Sequence, residues 1–168
     1  MLGIGGGFQM LGRYVHDPDG VETRGPAGVP GLGVLPVETT FSPQKTVRLS
    51  EGRALGATAS GYEIHHGRVT VTRGADTEDF LGGVRVGRVA GTMWHGALES
   101  DGLRTAVLDL AARARGRAFA ASGVSFARRR EQRLDLLADL VERHLDVEAL
   151  LRVARRGPGR VPVIGPHE

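Results

Sequence analysis

The chain has 168 residues, and its composition of 26 Gly, 8 Pro and no Cys limits its chemistry. Without cysteine it has no disulfide scaffold, no cysteine-ligated zinc site and no thiol nucleophile of its own. The formal charge of +3 combines 22 basic with 19 acidic residues, and this balance disfavours a dedicated nucleic-acid binder. No apolar run approaches the roughly 20 residues that cross a bilayer, so we expect a cytoplasmic protein without membrane contact.

The first predicted element is a glycine turn that leads into a short helix. Glycines dominate residues 3–7, and Phe8, Met10 and Leu11 follow at helical apolar spacing, which is typical of a strand-to-helix turn. Pro18 disfavours helical geometry at the residue before it, so the helix ends by then. We predict no strand ahead of the turn, where a doubly wound sheet would place a central one. The sequence therefore looks cut at its N-terminus.

The next part of the chain has an apolar period of about two, which is typical of strands. Short strands are predicted in this region, where Gly and Pro break the pattern. They lie at 32–34, 37–41, 46–49, 57–64, 68–72 and 84–92. Because no helices separate them, they indicate a meander or strands added to an existing sheet.

After Asp101 the spacing becomes helical. Three helices are predicted, at 103–114, at 134–145 behind a basic run, and at 147–151 with Asp146 as the N-cap. We therefore divide the chain into three parts: a partial α/β domain at 1–100, helices that complete it at 101–156, and a disordered tail at 157–168.

Arginines cluster at 113–117 and 128–130, a pattern that can mark a nucleic-acid surface. Acidic residues are interleaved with these arginines, and aromatic side chains that could stack on bases are nearly absent. Ordinary solvated helix faces are the favoured interpretation, and we expect no nucleic-acid partner.

The glycine turn can serve several kinds of chemistry. A helix N-terminus presents backbone N–H groups that can hold a phosphate or an oxyanion. Residues 3–7 lack the Gly-Lys-Ser/Thr ending of a phosphate loop and the acidic residue that follows a dinucleotide fingerprint. A tight packing turn remains the plain alternative.

Histidines supply the other candidate chemistry. Glu63 and His65 would share one face of a strand while His66 takes the other, so these residues can seed a metal site or form a hydrogen-bonded pair. His95 lies at a predicted strand end before a turn, where general bases occur in open sheets. By itself, a histidine in this setting is in most proteins a partly buried structural residue.

Several blocks of this sequence resemble glutamine amidotransferase domains of the cobyric acid synthase type. The blocks follow family order over about 150 residues and include 3–12, 17–22, 31–46, 61–68, 91–96 and 130–151. The resemblance implies a class I amidotransferase fold, a flavodoxin-like doubly wound α/β sheet that here lacks its first strands and carries C-terminal helices.

The resemblance also implies roles for individual residues. Such domains hydrolyse glutamine with a cysteine on a sharp strand-to-helix elbow, where a nearby histidine and the helix dipole stabilise the thiolate. By position, Gly5 occupies the nucleophile site and His95 is the general base. Gly6 and Gly7 lie at the oxyanion hole, and Gln9 matches a contact to the substrate glutamine.

Three neighbouring residues have no fixed role. Tyr62, Glu63 and His65 fall in the implied active-site neighbourhood, and no metal is implied. Ala97 stands two residues after His95, where ordinary triad amidotransferases have a glutamate; the cobyric acid synthase type also lacks that acid.

The resemblance further implies partners outside this chain. The ammonia would pass to a synthetase domain, normally in the same chain, which amidates adenosylcobyrinic acid a,c-diamide, a corrinoid, with ATP and Mg²⁺; this chain itself would need no cofactor. Because glycine at position 5 has no side chain to attack glutamine, we expect the chain alone to lack glutaminase activity. The alternative function is a non-catalytic pseudo-amidotransferase that binds or scaffolds a partner.

Overall fold

The computed structural model describes residues 1–157 and 159, so the predicted tail at 157–168 lies almost wholly outside the described residues. The chain divides into two compact units, Met1–Gly123 and Val124–Glu168. Helices and two sheets confirm the predicted α/β class.

The first unit contains eight strands, two α-helices and one 3₁₀ helix among its described residues. In chain order they are β1 (Leu2–Ile4), α1 (Gly6–Leu11), β2 (Tyr14–Asp17), β3 (Ala27–Pro30), β4 (Val37–Ala54), β5 (Ala57–Val71), β6 (Thr77–Phe80), β7 (Gly83–Val86), β8 (Val89–Thr92), the 3₁₀ helix Ala97–Glu99 and α2 (Asp101–Arg113).

One sheet has the strand order β1-β8-β7-β6. Strand β1 runs parallel to β8, with Ile4 opposite Thr92, and the other pairs are antiparallel. The sequence analysis was wrong on one detail here, since a three-residue strand does precede the glycine turn. Its few residues show no alternating pattern that could have revealed it.

The other sheet has the order β3-β2-β4-β5 and is built around a long hairpin. Strands β4 and β5 pair from Val37↔Val71 to Ala54↔Ala57, with one irregularity between Phe41 and Thr46. The four short strands predicted over this region therefore merge into two long ones. Glycine and proline interrupt the apolar pattern, but the hydrogen-bonded ladder continues past them.

Helix α1 is fixed by Phe8, whose side chain is fully buried. Phe8 packs in a cluster with Leu11, Leu35, Val37, Val84 and Met93. It also fills the space beside Gly91, where a Cβ atom would collide with the phenyl ring. Close packing of this kind leaves no room for larger side chains at that strand position.

The second unit contains α3 (Phe126–His144) and α4 (Val147–Arg156). The hydroxyl of Ser125 accepts a hydrogen bond from the Arg128 amide, and Asp146 caps α4 through the Ala149 amide as predicted. The basic run 128–130 lies inside α3 rather than ahead of it. None of the helices in the described part of the chain is both long and apolar enough to cross a membrane.

We predict that Phe8→Ala lowers the free energy of unfolding by about 3–5 kcal/mol, because it empties a fully buried site that has little room to collapse. Urea denaturation followed by circular dichroism measures the change. Met10→Ala is the matched control on the same helix: Met10 is 62% exposed, so its truncation should cost under about 0.5 kcal/mol. Equal losses of stability for the two variants would contradict the role of Phe8 in fixing α1 by its buried packing.

Candidate active site

Gly5 forms a sharp turn between β1 and α1. Its backbone has φ +57° and ψ −121°, a combination that L-residues adopt only under strain. The Gly5 amide donates to the Thr92 carbonyl at 2.9 Å, and the Gly5 carbonyl accepts from the amides of Phe8 and Gln9. The end of strand β8 and the start of helix α1 are therefore both hydrogen-bonded to this one residue.

His95 directs its ring at the place where a side chain of residue 5 would begin. A Cβ atom built on Gly5 would lie 2.8 Å from His95 Cε1 and 3.2 Å from His95 Nε2. His95 follows closely after Thr92, the last residue of β8, and β8 is paired to β1. The structure thus brings the two principal candidate residues into direct proximity although they are far apart in sequence.

Gly6 and Gly7 are exposed and begin α1. The first amides of a helix have no partner within it, and nothing described outside the helix and the adjoining residues would lie within 4 Å of a Cβ at either glycine. Their N–H groups can therefore meet an anion beside the elbow, which is the geometry that an oxyanion hole requires.

Gln9 lies further along the same helix and faces β5. Its side-chain amide nitrogen occupies the space where a Cβ of Gly67 would stand, next to the Thr39 side chain. The side chain of Gln9, which the sequence analysis predicts to contact the substrate, is thus in van der Waals contact with the sheet.

Tyr62 contacts His95 through both backbone and ring. The two residues exchange backbone hydrogen bonds of 3.0 and 2.8 Å. Their rings stack with centroids 5.5 Å apart and an angle of 24° between the planes. Of the three residues without a fixed role, Tyr62 is the one in direct contact with the candidate base.

Glu63 is buried in a hydrogen-bonded network. Its carboxylate accepts from Arg48 Nε at 2.7 Å and from the Ser50 hydroxyl at 2.9 Å, and lies 3.1 Å from His65 Nε2. Burial raises the pKa of Glu63, but the bonds from Arg48, His65 and Ser50 and the charge of Arg48 outweigh it. The pKa is therefore held below its ordinary value of 4.5.

Side chains alternate between the two faces of β5, and this places the Glu63 network relative to His95 and Gln9. Gly61, Glu63, His65 and Gly67 share one face of the strand; a Cβ at Gly61 would press on the His95 backbone, and Gly67 meets Gln9. Glu63 and His65 therefore lie on the stretch of strand between the contacts to His95 and to Gln9.

The sequence left two interpretations of Glu63 and His65, a metal site or a hydrogen-bonded pair. The structure shows the hydrogen-bonded pair. His66 points away from it, and its Nδ1 lies 2.9 Å from the Ser42 carbonyl oxygen. Among the described residues, no group of three or more acidic or histidine side chains is arranged to hold a metal ion.

Sequence reasoning missed Arg48, Ser50 and Trp94. The first two are the partners of Glu63 on the neighbouring strand, and only the register of the β4–β5 hairpin brings them to it. Trp94 is buried against Gly52 and Gly82 and supports the segment that carries His95. A lone tryptophan next to a candidate histidine was the one available signal.

The family match and the similar proteins of known name agree with one another. The CobB/CobQ-like glutamine amidotransferase domain matches residues 1–103. A cobyric acid synthase from Mycolicibacterium gilvum is 62% identical over 94% of this chain and 30% of its own length. One from Mycobacterium tuberculosis is 57% identical over 99% of this chain and 33% of its own length, and one from Mycobacterium marinum is 60% identical over 94% and 30%. The chain therefore spans 30 to 33% of the length of these relatives.

We predict that Glu63→Gln lowers the free energy of unfolding at about pH 7 by about 1.5–3 kcal/mol, because buried bonds to a charged group are lost. The folded-state pKa of Glu63 is depressed, so the stabilisation by its carboxylate is present above the unfolded-state value of 4.5 and is lost as the pH falls through the folded pKa. The gap between wild type and variant should therefore close in acid.

Urea titrations across this pH range measure that gap. Glu51→Gln, at an exposed position of the same hairpin, is the control and should leave the stability unchanged within about 0.5 kcal/mol. A gap for Glu63→Gln that stays constant from neutral pH into acid would contradict the ionic role.

Proposed function

This chain belongs to the family of CobB/CobQ-like glutamine amidotransferase domains, and we propose that it is the amidotransferase portion of a cobyric acid synthase. The supporting observation is the elbow: a sharp turn at Gly5 faces the imidazole of His95 beside the first amides of α1. Glutamine hydrolysis needs this arrangement of a nucleophile, a base and an oxyanion hole.

The chemistry of such a site requires a thiol at position 5. The thiolate would attack the glutamine carboxamide carbon while the amides of Gly6 and Gly7 hold the oxyanion. Ammonia would leave with a proton from His95, and water would then release glutamate from the thioester. Glycine at position 5 supplies no sulfur, so this chain contributes the framework of the site without its attacking atom.

The amidation itself would take place outside this chain. The relatives are about three times as long as the stretch matched here, and we assign ATP, Mg²⁺ and the corrinoid adenosylcobyrinic acid a,c-diamide to a synthetase portion of that kind. The residues of this chain do not fit the nucleotide: its one lysine, Lys45, follows glutamine rather than the glycine of a phosphate loop. We place the activity in the cytoplasm.

A second candidate function is that of a non-catalytic pseudo-amidotransferase that binds glutamine or scaffolds a partner. The specific observation in its favour is that His95 Cε1 approaches the Gly5 backbone so closely that a Cβ would lie only 2.8 Å away. The end of the imidazole ring would therefore have to shift to admit a cysteine side chain at this position. Under this alternative the geometry is kept and hydrolysis is absent.

We predict that Gly5→Cys creates a low-pKa thiol. The elbow, His95 and the start of α1 all favour the thiolate, so at about pH 6.5 iodoacetamide should react about tenfold faster with this variant than with an ordinary thiol of pKa about 8.5. Adding His95→Gln should remove most of the advantage. Mass spectrometry of the alkylated protein gives the rates, and ammonia release from glutamine is measured alongside; the unsubstituted chain should release none above background.

Gly6→Cys is the matched control. It places a thiol at the first residue of α1, where nothing outside the helix and the adjoining residues lies within 4 Å of the Cβ. This thiol keeps the effect of the helix start but lacks the contact with His95, so it should be alkylated more slowly than the thiol of Gly5→Cys. Equal alkylation rates for the two folded variants would refute the catalytic framework. A reactive thiol in Gly5→Cys that hydrolyses no glutamine would favour the pseudo-amidotransferase.

A further inference from the structure

Among the described residues, no carboxylate forms a hydrogen bond to the His95 ring. In the Ser-His-Asp arrangement a buried acid bonds to the imidazole and fixes its orientation. Here the position two residues on is Ala97, which is buried. Glu63 is engaged by Arg48, Ser50 and His65. In the part of the chain that the structure describes, neither ring nitrogen of His95 has a hydrogen-bond partner.

The surface that does meet the imidazole is the ring of Tyr62. The two rings lie nearly parallel at 24°, with centroids 5.5 Å apart. An offset stack at this separation is a favoured aromatic geometry. It constrains rotation of the imidazole about its side-chain bonds because turning the ring would break the stack.

The backbone keeps Tyr62 in register with His95. The two reciprocal hydrogen bonds form an antiparallel bridge that fixes both Cα atoms. The bridge needs a small residue at position 61, because a Cβ there would lie 2.7 Å from the His95 carbonyl oxygen; a Cβ at Gly96 would be in ordinary contact with Tyr62 Cε1 at 3.4 Å. Gly96 also has φ +71°, so the chain turns sharply just past the bridge.

Tyr62 itself is anchored to the hairpin. It stands directly opposite Leu49 across the β4–β5 ladder, on the face away from Glu63. Leu49 is 88% exposed, so it is the backbone ladder that restrains Tyr62. The sheet therefore sets the Cα position from which the phenol ring reaches His95.

We propose that Tyr62 is the positioning residue of this site: it holds the His95 imidazole over the elbow at residue 5, the task that a carboxylate performs in an acid-containing triad. Its catalytic meaning rests on the proposed function, since a fixed imidazole matters for hydrolysis only where the elbow carries a thiol. The positioning of the His95 ring by Tyr62 applies equally to the unsubstituted chain with Gly5. The phenol hydroxyl has no part in it, so phenylalanine should substitute.

The first experiment measures position without a thiol. His95 Cε1 faces Gly5, so NMR of the unsubstituted chain should give a nuclear Overhauser effect between His95 Hε1 and the Gly5 α protons. Tyr62→Phe should retain it and Tyr62→Leu should lose most of it. Ile64→Ala is the matched control: it lies on the same face of β5, is 47% exposed against 44% for Tyr62, and should retain the signal.

The second experiment measures the consequence in the Gly5→Cys background. Tyr62→Leu should slow alkylation of the introduced thiol at about pH 6.5 by about five- to tenfold and return its pH profile toward that of an ordinary thiol. Tyr62→Phe and Ile64→Ala should stay within about twofold, since misplacing a reacting group by about 1 Å is enough for such losses.

The outcomes separate the positioning role from the proposed function. An undiminished signal in Tyr62→Leu, or an equal loss in Ile64→Ala, overturns the positioning role; if Tyr62→Leu does not fold, Tyr62→Met gives the same comparison. Should the thiol of Gly5→Cys be unreactive while the NMR pattern holds, the proposed function fails and the positioning of His95 stands. If that thiol is reactive and Tyr62→Leu leaves its rate unaffected, the positioning role fails and the proposed function stands.

Discussion

The parallel pairing of β1 with β8 is the constraint on which the candidate site depends. Ile4 stands opposite Thr92, and the next amide, that of Gly5, donates to the Thr92 carbonyl. Because parallel strands end at the same edge of a sheet, the elbow and the segment that carries His95 leave that edge side by side. A slip of one residue would turn the alternating side chains to the opposite face. Only three paired residues set this register, so contacts beyond the strands must reinforce it.

That reinforcement comes from small residues that let neighbouring elements approach. Gly91 admits the Phe8 ring against β8, and Gly67 admits the Gln9 amide against β5. A side chain at either place would push α1 away from a sheet, and the elbow would move with the helix. The high glycine content thus has a packing function as well as a conformational one: it allows the short α1 helix to be held from two sides.

Local signals in the sequence predict that the helices exist, although α3 begins at Phe126, ahead of the predicted 134. They do not predict how the strands pair. The glycine turn predicted α1, and the side chain of Asp146 predicted the start of α4, because both features act within a few residues. The β4–β5 hairpin was predicted as four separate strands because glycines such as Gly52 and Gly67 resemble breaks, whereas they are close approaches to Trp94 and to Gln9. Contacts across strands need the register, which no single stretch of sequence contains.

The residues around the elbow have structural tasks that do not require a nucleophile. The ring of His95 stacks on that of Tyr62, and the amide of Gln9 fills the space beside Gly67. Removing either side chain would disturb packing even in a protein that never hydrolyses glutamine. Their presence is therefore compatible with an inactive chain as well as with an active one. The atom that separates the two functions is the sulfur that glycine lacks at position 5, since only a thiol there could attack glutamine.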